Sequence, residues 1–309
     1  MKKFDYNLGI LKGNVYINGS FINTSLGIKK NKIAYIGDLK DSQCFKSINC
    51  ENKYVLPGMI DTQVHFREPG LTHKEDIYHG TKGAILGGIT SIFEMPNTSP
   101  ATINEEELKK KIKIAEKNSW SNFAFFIGAC KANVTKLNIL EKIKGCAGIK
   151  IFMGSSTGSL LISEEEDLKI ALKTCKRRVA IHSEDEQRLI ERYKKIDKFN
   201  GVKEHEKWRD SLSAIISTKK VIKYAKKYDT KAHILHISTA DEIALLKNKG
   251  KHITVEVTPQ HLTLFSPDCY SKLKSLAQMN PPIRSINHQL GLWKGIKSGI
   301  VDVIGSDHA

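Results

Sequence analysis

From Tyr54 onward, short apolar runs rich in β-branched and aromatic residues alternate with longer Lys- and Glu-rich segments of helical period. This alternation is typical of repeated strand–helix units, and it restricts the possible folds more than any other feature of the chain. About eight such runs can be counted, the number of strands that closes a (β/α)8 TIM-like barrel. They cover residues 55–66, 89–95, 123–128, 147–152, 179–182, 232–236, 253–257 and 301–305.

Two segments between these runs carry signals for the start of a helix. Asn104 stands before three consecutive glutamates, a pattern that predicts a capped helix over residues 104–117. Ser163, also followed by three glutamates, predicts a second helix that opens with a capping box.

The N-terminal part of the chain has a different pattern. Residues 13–19 and 32–38 alternate in polarity and are bounded by Gly or Asn, which predicts short strands joined by turns. We therefore expect a small N-terminal β domain, an incomplete β-sandwich, over residues 1–55. The α/β barrel is expected over residues 56–309.

The composition excludes several classes of protein. The chain has 309 residues, 40% hydrophobic and 27% charged, with a formal net charge of +16, which is ordinary for a folded protein. The lysines are spread over the predicted helices without interleaved aromatic residues, so we expect no nucleic-acid partner. No apolar run approaches the roughly 20 residues that cross a bilayer, and the first residues are charged, so we expect no membrane contact and a cytoplasmic location.

Polar residues close nearly every predicted strand. A doubly wound open sheet uses the same alternation of strands and helices, but it would scatter these residues. A barrel gathers the carboxyl ends of its strands at one mouth, which favours the barrel here. The residues at these ends are His65, Asn97, Lys150, His182, His236 and Asp307.

The segment from Asp61 to Arg67 carries polar residues that are expected to form part of a binding site at the barrel mouth. Because side chains alternate along a strand, Gln63, His65 and Arg67 would project together into the barrel mouth. The alternative is a polar strand end that faces water, which is the commoner situation for a single histidine. Histidines at several matching strand ends favour the first interpretation.

The histidines of two later strands point to a metal ion. His182 and His236 each close an otherwise apolar strand, and Asp307 closes the last one. Neutral imidazoles and a carboxylate on rigid strands suit Zn²⁺ or a similar divalent ion. His233 shares a strand with His236 but faces the opposite side, so we interpret it as structural.

Lys150 lies inside an apolar strand, where its charged form would lose much hydration energy. Burial would lower its pKa and leave a free amine, which can react with CO₂ to give a carbamate able to bridge two metal ions. The alternative is a lysine that extends outward along the barrel to reach solvent.

Together these residues make the chain similar to the cyclic amidohydrolases, and among them to the dihydroorotases of the carboxylated-lysine type. The resemblance covers the barrel from its first strand to its last, and its specificity lies in the order and spacing of the motifs. The matching segments are 56–61 (Leu-Pro-Gly-Met-Ile-Asp), 65–70 (His-Phe-Arg-Glu-Pro-Gly), 95–98 (Met-Pro-Asn-Thr), 148–150 (Gly-Ile-Lys), 280–285 (Asn-Pro-Pro-Ile-Arg-Ser) and 305–309 (Gly-Ser-Asp-His-Ala).

The resemblance implies a set of metal ligands. His65 would bind a first Zn²⁺ ion, and Lys150, as a carbamate, would bridge it to a second. His182 and His236 would bind the second ion. Asp307 would bind metal and carry the proton in catalysis.

The resemblance also implies the substrate. Arg67 and Asn97 would hold a substrate carboxylate, and Asn280 would contact the ring. The reaction would be the reversible closure of N-carbamoyl-L-aspartate to L-dihydroorotate in pyrimidine biosynthesis. An arginine is suited to a two-point grip on a carboxylate, which a neutral cyclic amide does not offer.

Two other functions stay open at this point. One is an allantoinase or dihydropyrimidinase, a related enzyme acting on a different cyclic amide. The other is a non-catalytic scaffold of the same fold that binds aspartate carbamoyltransferase, since fold alone does not fix function. A homodimer is a further possibility for either an enzyme or a scaffold.

The chain departs from the resembling family at two places. Gln63 stands where the family has the first histidine of His-x-His, and an amide oxygen is a weaker ligand than imidazole, so the first metal site is expected to be weakened and the number of ions to be one or two. The family also continues beyond Ser-Asp-His-Ala, so we expect this chain to be a fragment that lacks the C-terminal closure of the barrel.

Overall fold

The computed structural model describes residues 4–156 and 160–309, with the side chains of residues 198–200 left out. The chain divides into two compact units, one ending at Met59 and the other beginning at Ile60. Each unit is described separately below.

The N-terminal unit is a small β domain built on one five-stranded sheet among its described residues. Strands β1 and β2, and then β2 and β3, pair antiparallel, whereas β4 and β5 pair with β1 in parallel. Several large apolar side chains of this unit are exposed, among them Ile33 and Phe45. The strands are β1 (Tyr6–Ile17), β2 (Ser20–Lys29), β3 (Lys32–Gly37), β4 (Cys44–Asn49) and β5 (Tyr54–Val55).

The second unit is the predicted barrel. Its eight described strands follow one another in sequence order around the sheet, and the pairs from β7 to β13 are parallel. A parallel bridge between Val64 and His308 brings the two ends of the sheet together, so the (β/α)8 fold class is confirmed. The strands are β6 (Met59–Val64), β7 (Ile89–Glu94), β8 (Asn122–Gly128), β9 (Cys146–Phe152), β10 (Val179–His182), β11 (Ala232–Ile234), β12 (Thr254–Val257) and β13 (Val303–Ile304).

Helices connect these strands. None of the described helices has the length and apolar composition needed to cross a membrane. The α-helices are α1 (Ile77–Leu86), α2 (Glu105–Asn118), α3 (Leu137–Leu140), α4 (Glu165–Thr174), α5 (Glu186–Tyr193), α6 (His205–Trp208), α7 (Ser211–Tyr228), α8 (Ala240–Leu246), α9 (Pro259–Thr263), α10 (Asp268–Leu273) and α11 (Ile286–Lys297). Short 3-10 helices cover Asp41–Gln43, Val134–Lys136, Lys198–Glu204 and Lys274–Ala277.

The two predicted helix starts have different outcomes. Asn104 caps α2, since its side-chain oxygen accepts a hydrogen bond from the backbone N–H of Glu107, which confirms the predicted cap. The capping box at Ser163 is wrong, because α4 begins later and its N-cap is Glu164, without a side-chain capping bond. Ser163 precedes the N-cap, and its hydroxyl contacts the side chain of Glu164 instead.

The alternation of side chains along β9 determines which way Lys150 points. Ile149 and Ile151 are fully buried in the main core cluster, together with apolar side chains of the surrounding helices such as Leu168 on α4. Because neighbouring side chains point to opposite faces of a strand, Lys150 points to the barrel interior. It pairs in register with Gly128 on β8 and Ala180 on β10.

A buried ion pair connects α2 to the last residue of β7. The side chains of Lys111 and Glu94 are both almost fully buried and in direct contact, and Lys111 Nζ also donates to the Met95 carbonyl at 3.0 Å. Burial raises the pKa of Glu94 and lowers the pKa of Lys111, so each group depends on the other to remain charged.

Removing one partner of this pair is expected to be costly. Lys111→Met removes the ammonium in direct contact with the buried Glu94 carboxylate and should lower the free energy of unfolding of the barrel by about 3–5 kcal/mol. Adding Glu94→Gln should recover much of that loss. Trp120, Trp208 and Trp293 all lie in the barrel, so denaturant unfolding followed by tryptophan fluorescence reports this unit. An unchanged unfolding curve for Lys111→Met would show that the pair does not stabilise the barrel.

Candidate active site

A cavity of about 350 Å³ opens at the carboxyl ends of the barrel strands. This is the end of the fold where barrel enzymes carry their active sites. Most of the residues predicted for a site line it, although they are far apart in the sequence. They are Gln63, His65, Arg67, Lys150, His182, His236, Asn280 and Asp307.

Lys150 reaches the cavity from β9 and is fully buried, which excludes the alternative of a lysine extending outward to solvent. Its Nζ atom has no hydrogen-bond partner and lies 4.5 Å from the centre of the Phe152 ring. Burial lowers the pKa of Lys150 to about 7, against the opposing effect of the Asp307 and Glu256 carboxylates. A substantial share of neutral amine is therefore present near neutral pH.

His182 and His236 lie side by side in this cavity. His182 is the last residue of β10, and His236 follows β11 with a positive φ of 36°. His182 Nδ1 and His236 Nε2 are 3.0 Å apart, and His236 Nδ1 has no hydrogen-bond partner. Burial lowers the pKa of both imidazoles, so both are neutral. The contact between the two rings uses one nitrogen of each, and the unpartnered Nδ1 of His236 is open to a ligand.

Asp307 forms a second group with Gln63 and His65. Its Oδ1 atom accepts a hydrogen bond from Gln63 Nε2 at 2.8 Å and lies 3.1 Å from His65 Nε2. Burial alone would raise the pKa of Asp307, but the His65 hydrogen bond and the nearby imidazoles and amine outweigh it and lower this pKa to about 2. Asp307 is thus a carboxylate across the physiological range.

The segment that carries His65 and Arg67 differs from the sequence prediction. Strand β6 ends at Val64, so the simple alternation of a strand does not extend to Arg67. Arg67 instead has a left-handed backbone with φ of 64°, and this turn directs it to the cavity. Asp61 does not line the cavity; its carboxylate accepts the backbone N–H groups of Gln63 and Ser306.

The remaining predicted residues are close to the cavity but have different contacts. The side-chain amide of Asn97 lies 2.7 Å from His65 Nδ1, and its backbone carbonyl is 3.5 Å from Arg67 Nη1. Asn280 donates from Nδ2 to Ser156 Oγ at 3.2 Å, and its Oδ1 atom has no partner. His233 faces away from the cavity and contacts Thr254.

Glu184 was missed by the sequence analysis. It is fully buried, accepts a hydrogen bond from His182 Nε2 at 2.8 Å, and forms an ion pair with Arg209. Burial would raise the pKa of Glu184, but Arg209 and His182 hold it well below its usual range. The carboxylate fixes the proton of His182 on Nε2 and leaves the lone pair on Nδ1, the atom that faces His236. The His-x-Glu spacing at the end of β10 was the available signal.

Glu184→Gln is expected to weaken the binding of a divalent ion about 10–100-fold, because the amide no longer favours a single tautomer of His182. Competition with a chelator for Zn²⁺ or Co²⁺ measures this affinity. Glu191→Gln is the matched control, because Glu191 is exposed on α5, the helix that begins just after Glu184. This variant should bind the ion as tightly as the unmodified chain does. If Glu184→Gln bound the ion as tightly as the unmodified chain, Glu184 would not be needed to fix the tautomer of His182.

The described side chains of the site supply only part of what a metal ion requires. Within residues 4–156 and 160–309, no group of three or more His, Cys, Asp or Glu side chains has a geometry for holding an ion. The two groups described above contain two such residues each, with Lys150 and Gln63 as their third members. A carbamate on Lys150 would add the missing carboxylate, and the unpartnered Lys150 Nζ and His236 Nδ1 atoms are the buried polar atoms that such a site would satisfy.

Relatives identify the family. The chain matches the Amidohydrolase family over residues 54–309. It is 32% identical to a dihydroorotase of Methanosarcina acetivorans, over 98% of the chain and 67% of the relative. It is 35% identical to a dihydroorotase of Pyrococcus horikoshii, over 97% of the chain and 65% of the relative. The chain therefore spans about two thirds of the length of these curated relatives.

Solved structures agree on the fold. L-hydantoinase (dihydropyrimidinase) from Arthrobacter aurescens superimposes with a TM-score of 0.89 at 23% identity, over 98% of the chain and 69% of that structure. Dihydropyrimidinase from Brevibacillus agri gives a TM-score of 0.84 at 25% identity, over 97% and 68%. The resemblance found in the sequence motifs is confirmed, and the chain belongs to the amidohydrolase family.

Proposed function

We propose that this chain is a metal-dependent dihydroorotase, which interconverts N-carbamoyl-L-aspartate and L-dihydroorotate in pyrimidine biosynthesis. Its family and its relatives make it a hydrolase that acts on cyclic amides. One observation carries the assignment to an acidic substrate: Arg67 lines the same cavity as Lys150, His182, His236 and Asp307. A guanidinium beside these groups matches a cyclic amide that carries a carboxylate.

The metal is proposed to be Zn²⁺, which neutral imidazoles and carboxylates both bind. His182, His236 and the carbamate of Lys150 would hold one ion, and His65 and Asp307 are the further candidate ligands. When bound, the ion would polarise the amide carbonyl and lower the pKa of the attacking water.

The carbamate follows from the state of Lys150. Its neutral amine attacks CO₂, a bond forms between Nζ and carbon, and one proton leaves to solvent. The product is a carboxylate on a long arm, which lies among the two histidines and the Asp307 group. The lowered pKa of Lys150 favours this reaction because only the unprotonated amine has the required lone pair.

The other residues act directly on the substrate. Arg67 would pair with the ring carboxylate and fix the orientation of the ring, while Asn280 Oδ1 would accept a ring N–H. During ring opening, water adds to the amide carbonyl and the ring C–N bond breaks. The Asp307 carboxylate would take the proton from water and deliver it to the leaving ring nitrogen.

The expected activity can be tested by following ring opening in ultraviolet absorbance with dihydroorotate, dihydrouracil and allantoin as parallel substrates. Dihydroorotate should be turned over much faster than the two neutral substrates. Preferred turnover of dihydrouracil or allantoin would contradict the proposed substrate.

A non-catalytic scaffold is the second candidate, and Gln63 is the observation that favours it. A scaffold needs no ion, so the metal content after dialysis distinguishes it from the enzyme. A homodimer, or an assembly with aspartate carbamoyltransferase, stays a prediction that size-exclusion chromatography with and without that partner tests. A cytoplasmic location also stays a prediction, and the six free cysteines support a reducing compartment.

A further inference from the structure

Gln63 makes a contact that bears on the number of ions in the site. Its side chain is buried within the barrel, its Nε2 atom donates to Asp307 Oδ1 at 2.8 Å, and its Oε1 atom has no hydrogen-bond partner. A carboxylate has only acceptors, so the edge of the amide that faces Asp307 must be its NH₂ group. The amide oxygen, the only metal ligand that glutamine offers, therefore faces elsewhere.

An ion at this position would have to displace that hydrogen bond. The amide would turn, Gln63 would lose its bond to Asp307, and the ion would gain a neutral oxygen that binds Zn²⁺ less strongly than an imidazole does. Without an ion, Asp307 Oδ1 accepts the Gln63 Nε2–H at 2.8 Å and lies 3.1 Å from His65 Nε2. On the other side of this imidazole, His65 Nδ1 lies 2.7 Å from Asn97 Oδ1, which accepts its N–H.

In the neighbouring group, two nitrogen atoms have no contact that an ion would displace. Lys150 Nζ and His236 Nδ1 are buried without hydrogen-bond partners. His182 donates its Nε2–H to Glu184 and accepts the Nε2–H of His236 at Nδ1, which leaves His236 Nδ1 as the unpartnered nitrogen of the two histidines. Buried polar atoms without partners are costly, and a cation held by His236 Nδ1 and by a carbamate on Lys150 would relieve that cost.

We propose that this chain holds one divalent ion tightly, at Lys150, His182 and His236, and that Gln63 takes the place of a second ion by hydrogen-bonding to Asp307. The inference rests on the proposed function only in assigning these side chains to a metal site. It makes Gln63 the residue that sets the number of ions.

The number of ions per chain tests this inference. The full chain is equilibrated with a buffered low concentration of free Zn²⁺ in the presence of bicarbonate, and bound zinc is measured by elemental analysis. We expect about one ion for the unmodified chain and about two for Gln63→His, because an imidazole replaces the amide donor. Gln187→His adds a histidine beside Glu191 on the exposed face of α5 and should bind about as much zinc as the unmodified chain.

The opposite results would overturn the inference. Two tightly bound ions in the unmodified chain, no tightly bound ion, or an unchanged count in a folded Gln63→His would each do so. A second measurement needs no variant: Mn²⁺ bound to the unmodified chain should give the electron paramagnetic resonance spectrum of an isolated ion, and a spin-coupled pair would contradict the inference. A chain that binds one ion but does not open dihydroorotate would contradict the proposed function and leave this inference standing.

Discussion

Lys150→Ala is expected to abolish ring opening of dihydroorotate, with a loss of at least about 1,000-fold in kcat, corresponding to about 4 kcal/mol of transition-state stabilisation. The physical reason is that alanine removes the amine that would carry the carboxylate shared by the metal ligands. The side chain is fully buried and lines the cavity. Steady-state rates at saturating dihydroorotate measure the loss.

Chemical rescue distinguishes this role from a structural one. A short carboxylic acid such as propionate fits the space left by the lysine arm and should restore part of the activity of Lys150→Ala. Lys74→Ala is the matched control, because Lys74 lines the same cavity but is exposed. Full activity in Lys150→Ala would contradict the carbamate, and a loss that no carboxylic acid rescues would point to a packing role.

Arg67→Ala is expected to lower kcat/KM for dihydroorotate by about 100-fold or more, mainly through KM, because the substrate carboxylate loses a nearly buried counter-ion. Arg67 is 6% exposed, so water cannot fully replace the guanidinium. Arg67→Lys should recover only part of the loss, since an ammonium cannot make the two-point contact.

A neutral substrate provides the internal control for Arg67. Any residual ring opening of dihydrouracil should be the same in Arg67→Ala and in the unmodified chain, because that ring has no carboxylate. If Arg67→Ala lost both activities equally, Arg67 would be needed for the shape of the site and not for recognition of the anion. An unchanged KM for dihydroorotate would place the substrate carboxylate elsewhere.

The barrel could be predicted because its strands can be recognised from neighbouring residues in the sequence. Buried parallel strands are short and continuously apolar, and their carboxyl ends meet at one mouth, so Lys150, His182, His236 and Asp307 could be grouped from the sequence alone. The helix start at Asn104 was predictable for the same reason, because a cap depends on neighbouring residues. Ser163 shows the limit: the same local pattern occurs there, but the helix begins beyond it.

Backbone conformation outside the strands was not predictable. Arg67 and Asp307 reach the cavity through positive φ angles of 64° and 50°, which non-glycine residues adopt only where the surrounding structure imposes them. Alternation along a strand therefore predicted correctly that Arg67 faces the cavity, although the strand ends at Val64 and a turn directs the side chain there. The contact between Gln63 and Asp307 joins residues 244 positions apart, and no pattern in the sequence indicates it.

The residues that contact the candidate metal ligands were only partly predictable from the sequence. Glu184 lies two positions after His182, and the His-x-Glu spacing could have indicated a carboxylate beside the imidazole. Arg209, which neutralises that carboxylate, comes from the segment between α6 and α7 and has no local signal. Glu256 lies in an apolar strand just as Lys150 does, and the same argument applied to both would have found it.

The most direct test of the central claim is a crystal structure of the full chain grown with Zn²⁺ and bicarbonate, with anomalous scattering data collected at the zinc absorption edge. The account predicts an anomalous peak bounded by His182 Nδ1, His236 and the Lys150 side chain, with density for a carboxylate continuous with Lys150 Nζ. A free Lys150 amine with zinc bound only at surface histidines would contradict it.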